Sequence, residues 1–159
     1  MITQLISGGQ TGVDRAALDA ALEAGVSVGG WCPKTRKAED GVIPDIYPLN
    51  ETMAAEYDQR TEWNVRDSDG TLQITWGTIL GGSLLTQNSC EHYEKPFLIV
   101  DLNEPELNFD VIVDWLTTNK IHVLNIEGPR ESHCEGIYEK AKIFVSELLR
   151  IPIDYLATA

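Results

Sequence analysis

A glycine-rich turn near the N-terminus is the first place where this sequence could do chemistry. The stretch SGGQTGVD, residues 7–14, lies between an apolar run and an alanine-rich segment with helical periodicity. Glycines at such a turn allow backbone N–H groups to approach a ligand, and the dipole of the following helix favours negative charge there. The predicted ligand-binding residues of this stretch are Gly8, Gly9, Gln10, Thr11, Gly12 and Asp14. A tight turn capped by Thr11, with Asp14 complementing the dipole, would leave the same pattern.

This turn matches neither of the two best-known phosphate-binding signatures. A P-loop would place Lys and Ser or Thr after the last glycine, where Val13 and Asp14 stand. The dinucleotide fingerprint would require glycine in place of Ser7. The turn therefore predicts an anion site without fixing the class of ligand.

A second glycine-marked turn follows a later strand. The stretch GTILGGSLLTQNSCEHYEK, residues 77–95, again leads from a strand into a helix. Its candidate binding residues are Gly81, Gly82, Ser83 and Thr86. Because ligands bind outside the carboxyl ends of parallel strands, we expect the two turns to lie side by side across one crevice. Close packing of the helix is the alternative reason for these glycines.

Half of the twelve Lys and Arg residues lie in or beside the predicted strand-end loops. They are Lys34, Arg36, Lys37, Arg60, Arg66 and Arg130. In so acidic a chain this grouping favours an anion pocket, although loops also carry ordinary surface charge. We expect Lys34, Arg60 or Arg130 to balance the charge of the ligand. Arg130 could bind an anion bidentately or pair with Glu127 or Glu131.

Further polar and aromatic residues could complete the site. Arg60, Thr61 and Asn64 occupy one helical face, as binding residues or as a solvated surface. Trp31 could stack against a flat ring or belong to the core. The carboxylates available for acid or base catalysis are Asp14, Asp67, Asp69 and Glu131. For Asp67 and Asp69, which could also bind a ribose-like hydroxyl, the surrounding DSDG sequence favours a structural turn.

The elements that must position these residues alternate between strand and helix. The predicted strands cover residues 2–6, 26–31, 71–76, 97–102 and 121–126. The predicted helices cover residues 13–25, 50 or 52 to 64, 106–119 and 137–148, and residues 77–95 form a glycine-marked turn that runs into a further helix. The segment 32–48 reads as a loop too polar to be core. This order predicts an α/β fold with a mostly parallel sheet covered by helices on both faces, as one domain over residues 1–159.

Composition narrows the classes of function. The net charge of −13 argues against nucleic acid as a partner, since binding to it depends on cations that neutralise phosphates. The three cysteines and three histidines are scattered, which argues against disulfides and against a metal site. We find neither a membrane-length apolar run nor a leader-like start, and expect a soluble cytoplasmic protein that does not bind membranes.

Six blocks of the sequence together carry a family resemblance. They are SGGQTGVDRAAL, GGWCPKTRKAEDG, YPLNET, QRTEWNVRDSDGTL, GGSLLT and LNIEGPRES. In this order they resemble the molybdenum carrier protein family. That family lies within the SLOG superfamily of Rossmann-like nucleotide-binding domains, which is related to lonely-guy phosphoribohydrolases and DprA-type proteins. The likeness extends to about residue 149.

The resemblance implies a three-layer α/β/α Rossmann-like domain that binds a nucleotide or a pterin phosphate at its strand ends and assembles as a dimer or tetramer. The implied cofactor is molybdenum cofactor, a phosphate-bearing pterin that chelates its own metal, or a nucleotide. Molybdoenzymes would be the recipients of a carried cofactor. By motif, Gly8, Gly9, Thr11 and Gly12 match the anion loop, and Gly81, Gly82, Ser83 and Thr86 match the second glycine loop.

One departure from the superfamily bears on catalysis. The phosphoribohydrolases resemble P-G-G-x-G-T-x-E-E, whereas here Gln87 and Asn88 replace the acidic residues. Amides cannot act as general acid or base. The sequence therefore favours a binding or carrier protein, with a nucleotide-processing hydrolase and a nucleotide-sensing interaction module as the alternatives.

Overall fold

The computed structural model describes residues 1–77 and 82–156, over which strands and helices alternate. In chain order the strands are β1 (Gln4–Ile6), β2 (Ser27–Gly29), β3 (Trp31–Cys32), β4 (Lys37–Ala38), β5 (Gly41–Val42), β6 (Asn50–Glu51), β7 (Gly70–Thr75), β8 (Phe97–Asp101) and β9 (Val123–Glu127). The α-helices are α1 (Val13–Glu23), α2 (Tyr57–Arg66), α3 (Gly82–His92), α4 (Phe109–Thr118) and α5 (Ile137–Arg150). Short 3-10 turns occupy Lys34–Arg36 and Glu131–His133.

A parallel sheet forms the centre of the molecule. Five of the described strands pair in the order β2-β1-β9-β7-β8, and each neighbouring pair is parallel. The carboxyl ends of β1, β9 and β7 therefore meet at one edge, where ligands of such sheets bind. The short pairs β3-β6 and β4-β5 lie outside this sheet.

Helices cover both faces of the sheet. On one side α1 packs against α5, and Phe109 of α4 stacks on Phe144 of α5 with ring centroids 5.4 Å apart. On the other side α2 packs against α3. The three-layer α/β/α Rossmann-like prediction is confirmed.

The predicted strand 26–31 is divided at Gly30. Its φ of 125° lies in a region that favours glycine, and a Cβ there would lie 2.6 Å from the Ser7 carbonyl oxygen. The chain therefore turns away from β1 after β2, and β3 pairs with β6 instead.

Residues 33–51, which we call the covering segment, correct one prediction from the sequence. The prediction that residues 32–48 are too polar to be core is wrong, because Ile43 and Tyr47 are buried within this range, as is Leu49 just after it. The Arg36 side chain holds the segment together by donating to four backbone carbonyls, those of Ile43, Pro44, Tyr47 and Leu49. A single arginine thus lets a charged loop enclose an apolar interior.

Two helices begin later than predicted. Helix α2 begins at Tyr57 because Asn50 and Glu51 pair with β3 as a strand. Helix α4 begins at Phe109, where the Asn108 side chain accepts a hydrogen bond from the Asp110 N–H at 3.0 Å. An asparagine in this position satisfies one of the N–H groups that the first helical turn leaves unpaired.

Candidate functional site

A cavity of about 630 Å³ opens at the carboxyl ends of β1, β7 and β9. Its volume lies within the range of small-molecule sites in proteins. Its lining residues come from the first glycine turn, α2, β7, α3 and the segment after β9. They are Gln10, Asp14, Tyr57, Asp58, Arg60, Thr61, Gln73, Leu85, Thr86, Glu127, Gly128, Pro129, Arg130 and His133.

The fold brings many of the predicted site residues together in this lining. They are Gln10, Asp14, Arg60, Thr61, Thr86 and Arg130. They come from four separate segments of the chain, so that only the folded sheet places them together. Their convergence identifies the cavity as the candidate site.

A buried ion pair joins α1 to α2 at the wall of the cavity. Asp14 and Arg60 are 4% and 8% exposed, with 3.3 Å between Arg60 Nη1 and Asp14 Oδ2. The same Nη1 donates to the Gly8 carbonyl at 2.8 Å. Burial raises the pKa of Asp14, and the positive charge of Arg60 opposes that rise. Arg60 is therefore engaged by the protein itself, as a support for the carboxylate.

Glu127 adds a second carboxyl group to the cavity. It is the last residue of β9, and its carboxyl oxygens accept from the Thr86 hydroxyl at 2.5 Å and from Asn125 Nδ2 at 3.4 Å. Burial, together with the negative charge of Asp14, raises the pKa of Glu127 to about 7. From the sequence, Glu127 was predicted only as a partner for Arg130. The signal that could have placed it in the site is a carboxylate at the end of an apolar strand.

Positive charge gathers around one aromatic ring beside these carboxyl groups. Lys37 Nζ, Arg60 Cζ and Arg130 Cζ lie 5.3, 5.2 and 4.8 Å from the centroid of the Tyr57 ring. In the described part of the chain, Arg130 forms an ion pair with no carboxylate, whereas Arg60 is paired with Asp14. The Arg130 guanidinium is thus held by the ring and positioned to meet an anion in the cavity.

The glycines of the first turn face protein groups. A Cβ on Gly9 would lie 2.7 Å from a methyl carbon of Leu49, and one on Gly12 would lie 2.4 Å from the Pro129 carbonyl oxygen. That oxygen also accepts from the Val13 N–H at 3.1 Å. These glycines permit the covering segment and the segment after β9 to pack closely on the turn.

The other residues of this turn have internal partners as well. A Cβ on Gly8 would lie 2.3 Å from Arg60 Nη1. The Thr11 N–H donates to Gln10 Oε1 at 3.0 Å, and the Thr11 hydroxyl donates to Glu39 and accepts from the Glu131 N–H. From the predicted anion loop only Gln10 reaches the cavity lining, followed by Asp14.

The second glycine turn lies partly outside the described residues. Gly81 falls in the undescribed range, and Gly82 and Ser83 are the first two residues of α3. Leu85 and Thr86, about one turn further along α3, line the same cavity as Gln10 and Asp14. The expectation that the two turns share a crevice stays a prediction, because part of the second turn lies outside the described residues.

Trp31, Lys34 and Asn64 lie outside the cavity lining. The Asn64 side chain accepts from the Trp31 N–H at 2.7 Å and donates to the Trp31 carbonyl at 3.0 Å. The Trp31 indole N–H donates to Asp67 at 2.7 Å, and its ring packs edge-on against Trp63. Lys34 is exposed on a 3-10 turn. Trp31 and Asn64 thus tie α2 to β3.

Three of the four candidate catalytic carboxylates serve backbone groups or neighbouring side chains. Asp67 pairs with Arg66, and Asp69 accepts from the N–H groups of residues 122 and 123 at 2.9 and 2.7 Å. Glu131 accepts from the N–H groups of residues 136 and 138, at the start of α5. Asp14 is the one of the four that lines the cavity.

Two further properties concern metals and membranes. Among the described residues, no group of three or more His, Cys, Asp and Glu side chains is arranged to hold a metal ion. None of the helices within residues 1–77 and 82–156 is both long enough and apolar enough to cross a membrane.

Comparison with known proteins identifies the family of this chain. Residues 5–149 match the model of the circularly permutated YpsA SLOG family. The fold is similar to the crystal structure of the "Putative molybdenum carrier protein" from Syntrophus aciditrophicus SB, with a TM-score of 0.86 and 44% sequence identity. That similarity covers 94% of this chain and 96% of the other. No match was found among curated proteins. Because the family model spans most of the sequence, this chain belongs to the circularly permutated YpsA family of SLOG proteins.

Proposed function

We propose that this protein binds and carries a phosphate-bearing pterin, with molybdenum cofactor as the cargo, or a nucleotide of similar shape. The observation that carries the proposal is Arg130, whose guanidinium borders the cavity over the Tyr57 ring without a carboxylate partner in residues 1–77 and 82–156. An arginine is suited to a phosphate because its planar fork of donors matches two phosphate oxygens.

The arrangement of charge supports a ligand with an anionic end and a polar ring. Arg130 and the exposed His133 lie in the segment after β9, whereas Asp14 and Gln73 line the cavity as buried groups. We infer that the phosphate lies beside Arg130 and that the ring enters toward Gln73. The pterin of molybdenum cofactor chelates its own metal, so that this cargo requires no metal ligand from the protein.

The name of the similar protein from Syntrophus aciditrophicus supports the carrier role. The same cavity would also accept a nucleoside monophosphate, because both ligands combine a phosphate with a flat nitrogen heterocycle. Binding of the phosphate is the part of the proposal that the geometry supports directly.

The test is calorimetric titration of the protein with molybdenum cofactor, its molybdenum-free pterin phosphate precursor, GMP and AMP. Arg130→Gln should weaken binding of any phosphate-bearing ligand by about tenfold or more, since a hydrogen bond to a charged group contributes about 1.5–3 kcal/mol. The matched control is Arg150→Gln, at an exposed position near the end of α5. Absence of binding by all four compounds, or equal losses in both variants, would contradict the proposal.

The paired carboxyl groups support one alternative, hydrolysis of the N-glycosidic bond of a nucleotide. Glu127, with its pKa of about 7, could donate a proton to a leaving base near neutral pH, while Asp14 stays close to Arg60. Incubation with AMP or GMP would then release free base, and Glu127→Gln and Asp14→Asn would abolish that release while the fold remained intact. A carrier would release none.

A further inference from the structure

The central strands β7 and β9 have one apolar face and one polar face. Leu72 and Ile74 of β7, and the corresponding residues of β9, are fully buried in the core. The intervening side chains of both strands lie on the opposite face of the sheet. These are Thr71, Gln73, Thr75, Asn125 and Glu127, which we call the polar row. Four of its members are at most 4% exposed, and Glu127 is half-buried.

Burial of so many polar groups in a sheet is costly unless each has a partner. Register places Thr71 beside Asn125, and Gln73 beside Glu127, on adjacent strands. Asn125 Nδ2 donates to Thr71 Oγ1 at 3.1 Å and to Glu127 at 3.4 Å. The inner part of the polar row is therefore connected internally.

Within the described residues this pairing is incomplete at two members of the polar row, Asn125 through its Oδ1 and Gln73, and of these two Gln73 lines the cavity. Its amide nitrogen donates weakly to the Ile74 carbonyl at 3.4 Å, and among the described residues its Oε1 atom, although buried, has no hydrogen-bond donor. Gln73 is 4% exposed and lines the cavity. It offers an acceptor to whatever enters there.

Gln10 presents a hydrogen-bond donor to the same cavity, to which Gln73 presents an acceptor. Its Oε1 accepts from the Thr11 N–H at 3.0 Å and from the Glu39 N–H at 2.9 Å, which fixes the orientation of the amide. Its Nε2, buried in a residue 4% exposed, has no acceptor within the described ranges 1–77 and 82–156. Gln10 thus offers a donor.

Gln10 as a donor, and Gln73 and Glu127 as acceptors, line the same cavity and form a hydrogen-bonding pattern that a ligand ring could match. Gln73 and Glu127 lie opposite one another on adjacent strands, about 4.8 Å apart across the sheet, close enough for their side chains to reach neighbouring atoms of one ring. Guanine and pterins share a 2-amino-4-oxopyrimidine edge, which presents a carbonyl acceptor beside two N–H donors. Adenine presents one ring acceptor and one amine donor, and would leave a buried acceptor unpaired.

We propose that the cavity selects the 2-amino-4-oxopyrimidine edge, with Gln73 accepting from its exocyclic amine, Glu127 accepting from its ring N–H and Gln10 donating to its carbonyl oxygen. This inference rests on the proposed function, because it assigns the ring that accompanies the phosphate bound at Arg130. A site built to pair with a substrate N–H discriminates strongly against an analogue that lacks it.

The experiment compares GMP, IMP and AMP by calorimetric titration of the wild-type protein at pH 8. Relative to GMP, IMP lacks only the 2-amino group, whereas AMP lacks the 2-amino group, the ring N–H and the carbonyl, which an amine replaces. We expect GMP to bind at least tenfold more tightly than either. Equal affinity for GMP, IMP and AMP would overturn the inference while leaving phosphate binding intact, whereas absence of binding by these three and by the pterin phosphate would overturn the proposed function as well.

Gln73→Met removes the acceptor at similar volume, and should reduce the preference for GMP over IMP by about tenfold with little change for IMP. Its matched control, Gln87→Met at an exposed position on α3, should retain the preference. A Gln73→Met protein that still prefers GMP to the wild-type extent would overturn the inference. If this variant does not fold, the wild-type ranking decides alone.

A further titration with the molybdenum-free pterin phosphate separates the two sources of the same edge. Tighter binding of this compound than of GMP would assign the cavity to pterins, and the reverse order would assign it to guanine nucleotides. Either order, with AMP weaker than both, supports recognition of the shared edge. AMP binding as tightly as the better of the two would overturn it.

Discussion

Glu127 makes the stability of this protein depend on pH in an unusual direction. Its pKa of about 7 in the folded chain lies above the usual carboxyl value of 4.5. Below pH 4.5 the group is protonated in both the folded and the unfolded states, and it adds no pH dependence. As the pH rises from 4.5 to 7 only the unfolded chain ionises freely, so that the folded state loses stability relative to it.

We therefore predict that Glu127→Gln, compared with the wild type, gains stability as the pH rises. The difference in pKa corresponds to about 3 kcal/mol, which should develop between pH 4.5 and 7 and stay constant above that range. The Gln carbonyl can still accept from Thr86, so the hydrogen bond is retained. Denaturant unfolding of both proteins at pH 5 and pH 8 measures the effect. Parallel pH profiles would show that Glu127 ionises as an exposed carboxyl does.

At the scale of single residues, the sequence was sufficient to select several residues of the site, but not to predict which residues lie next to one another there. The types and loop positions of Asp14, Arg60 and Arg130 were sufficient to select them, and the structure places all three on the cavity. Gln73 and Glu127 were missed because their significance depends on the register between β7 and β9, two strands far apart in sequence. No local pattern contains that register.

At the scale of elements, the first glycine turn is a surface on which the covering segment and the segment after β9 pack closely. Gly12 has φ 77° and ψ −129°, a region that is essentially restricted to glycine, and its α-carbon faces the Pro129 carbonyl. Gly25, after α1, also has a positive φ of 72°, but no described atom lies within 4 Å of the position of its Cβ. A substitution at Gly25 would therefore cause backbone strain alone, whereas one at Gly12 would add a steric clash with the segment after β9.

We predict that Gly25→Ala costs about 1–2 kcal/mol of unfolding free energy, the usual penalty for a left-handed non-glycine residue. Gly12→Ala should cost about 2 kcal/mol more, because a methyl group there forces the segment after β9 away from α1. Thermal or denaturant unfolding of both variants measures the difference. Equal losses would mean that this segment moves aside without cost.

The elements themselves were largely predictable, and the exceptions have physical reasons. Apolar periodicity located the five strands of the sheet and the five helices, because each element buries one face. The buried residues of the covering segment were missed, since Ile43 and Leu49 lie in a proline-containing stretch without helical or strand periodicity, and the stretch is held by bonds from Arg36 to their carbonyls. Such a loop has no period to detect.

At the scale of the whole molecule, the net charge of −13 opposes the compact state through self-repulsion. Salt screens this repulsion, because the Debye length falls from about 30 Å at 0.01 M to about 10 Å at 0.1 M. The ion pair between Asp14 and Arg60 is buried and should be screened little. The balance of these effects favours the folded state as salt is added.

We therefore predict that the melting temperature rises when NaCl increases from 0.01 to 0.1 M, as measured by calorimetry at pH 8. A double variant at two exposed acidic positions, Glu104→Gln with Glu106→Gln, reduces the charge and should show a smaller rise. A fall in melting temperature with salt would indicate that surface ion pairs outweigh the repulsion.

The polar row also helps to fix the register between β7 and β9. Side chains alternate between faces with a period of two, so a slip of β7 by one residue along β9 would turn Gln73 toward the apolar core and Leu72 toward the cavity. Both exchanges are strongly unfavourable, which makes mispaired arrangements of these strands poor competitors during folding. The same side chains to which we assign ligand binding thus also disfavour incorrect pairing of the central strands.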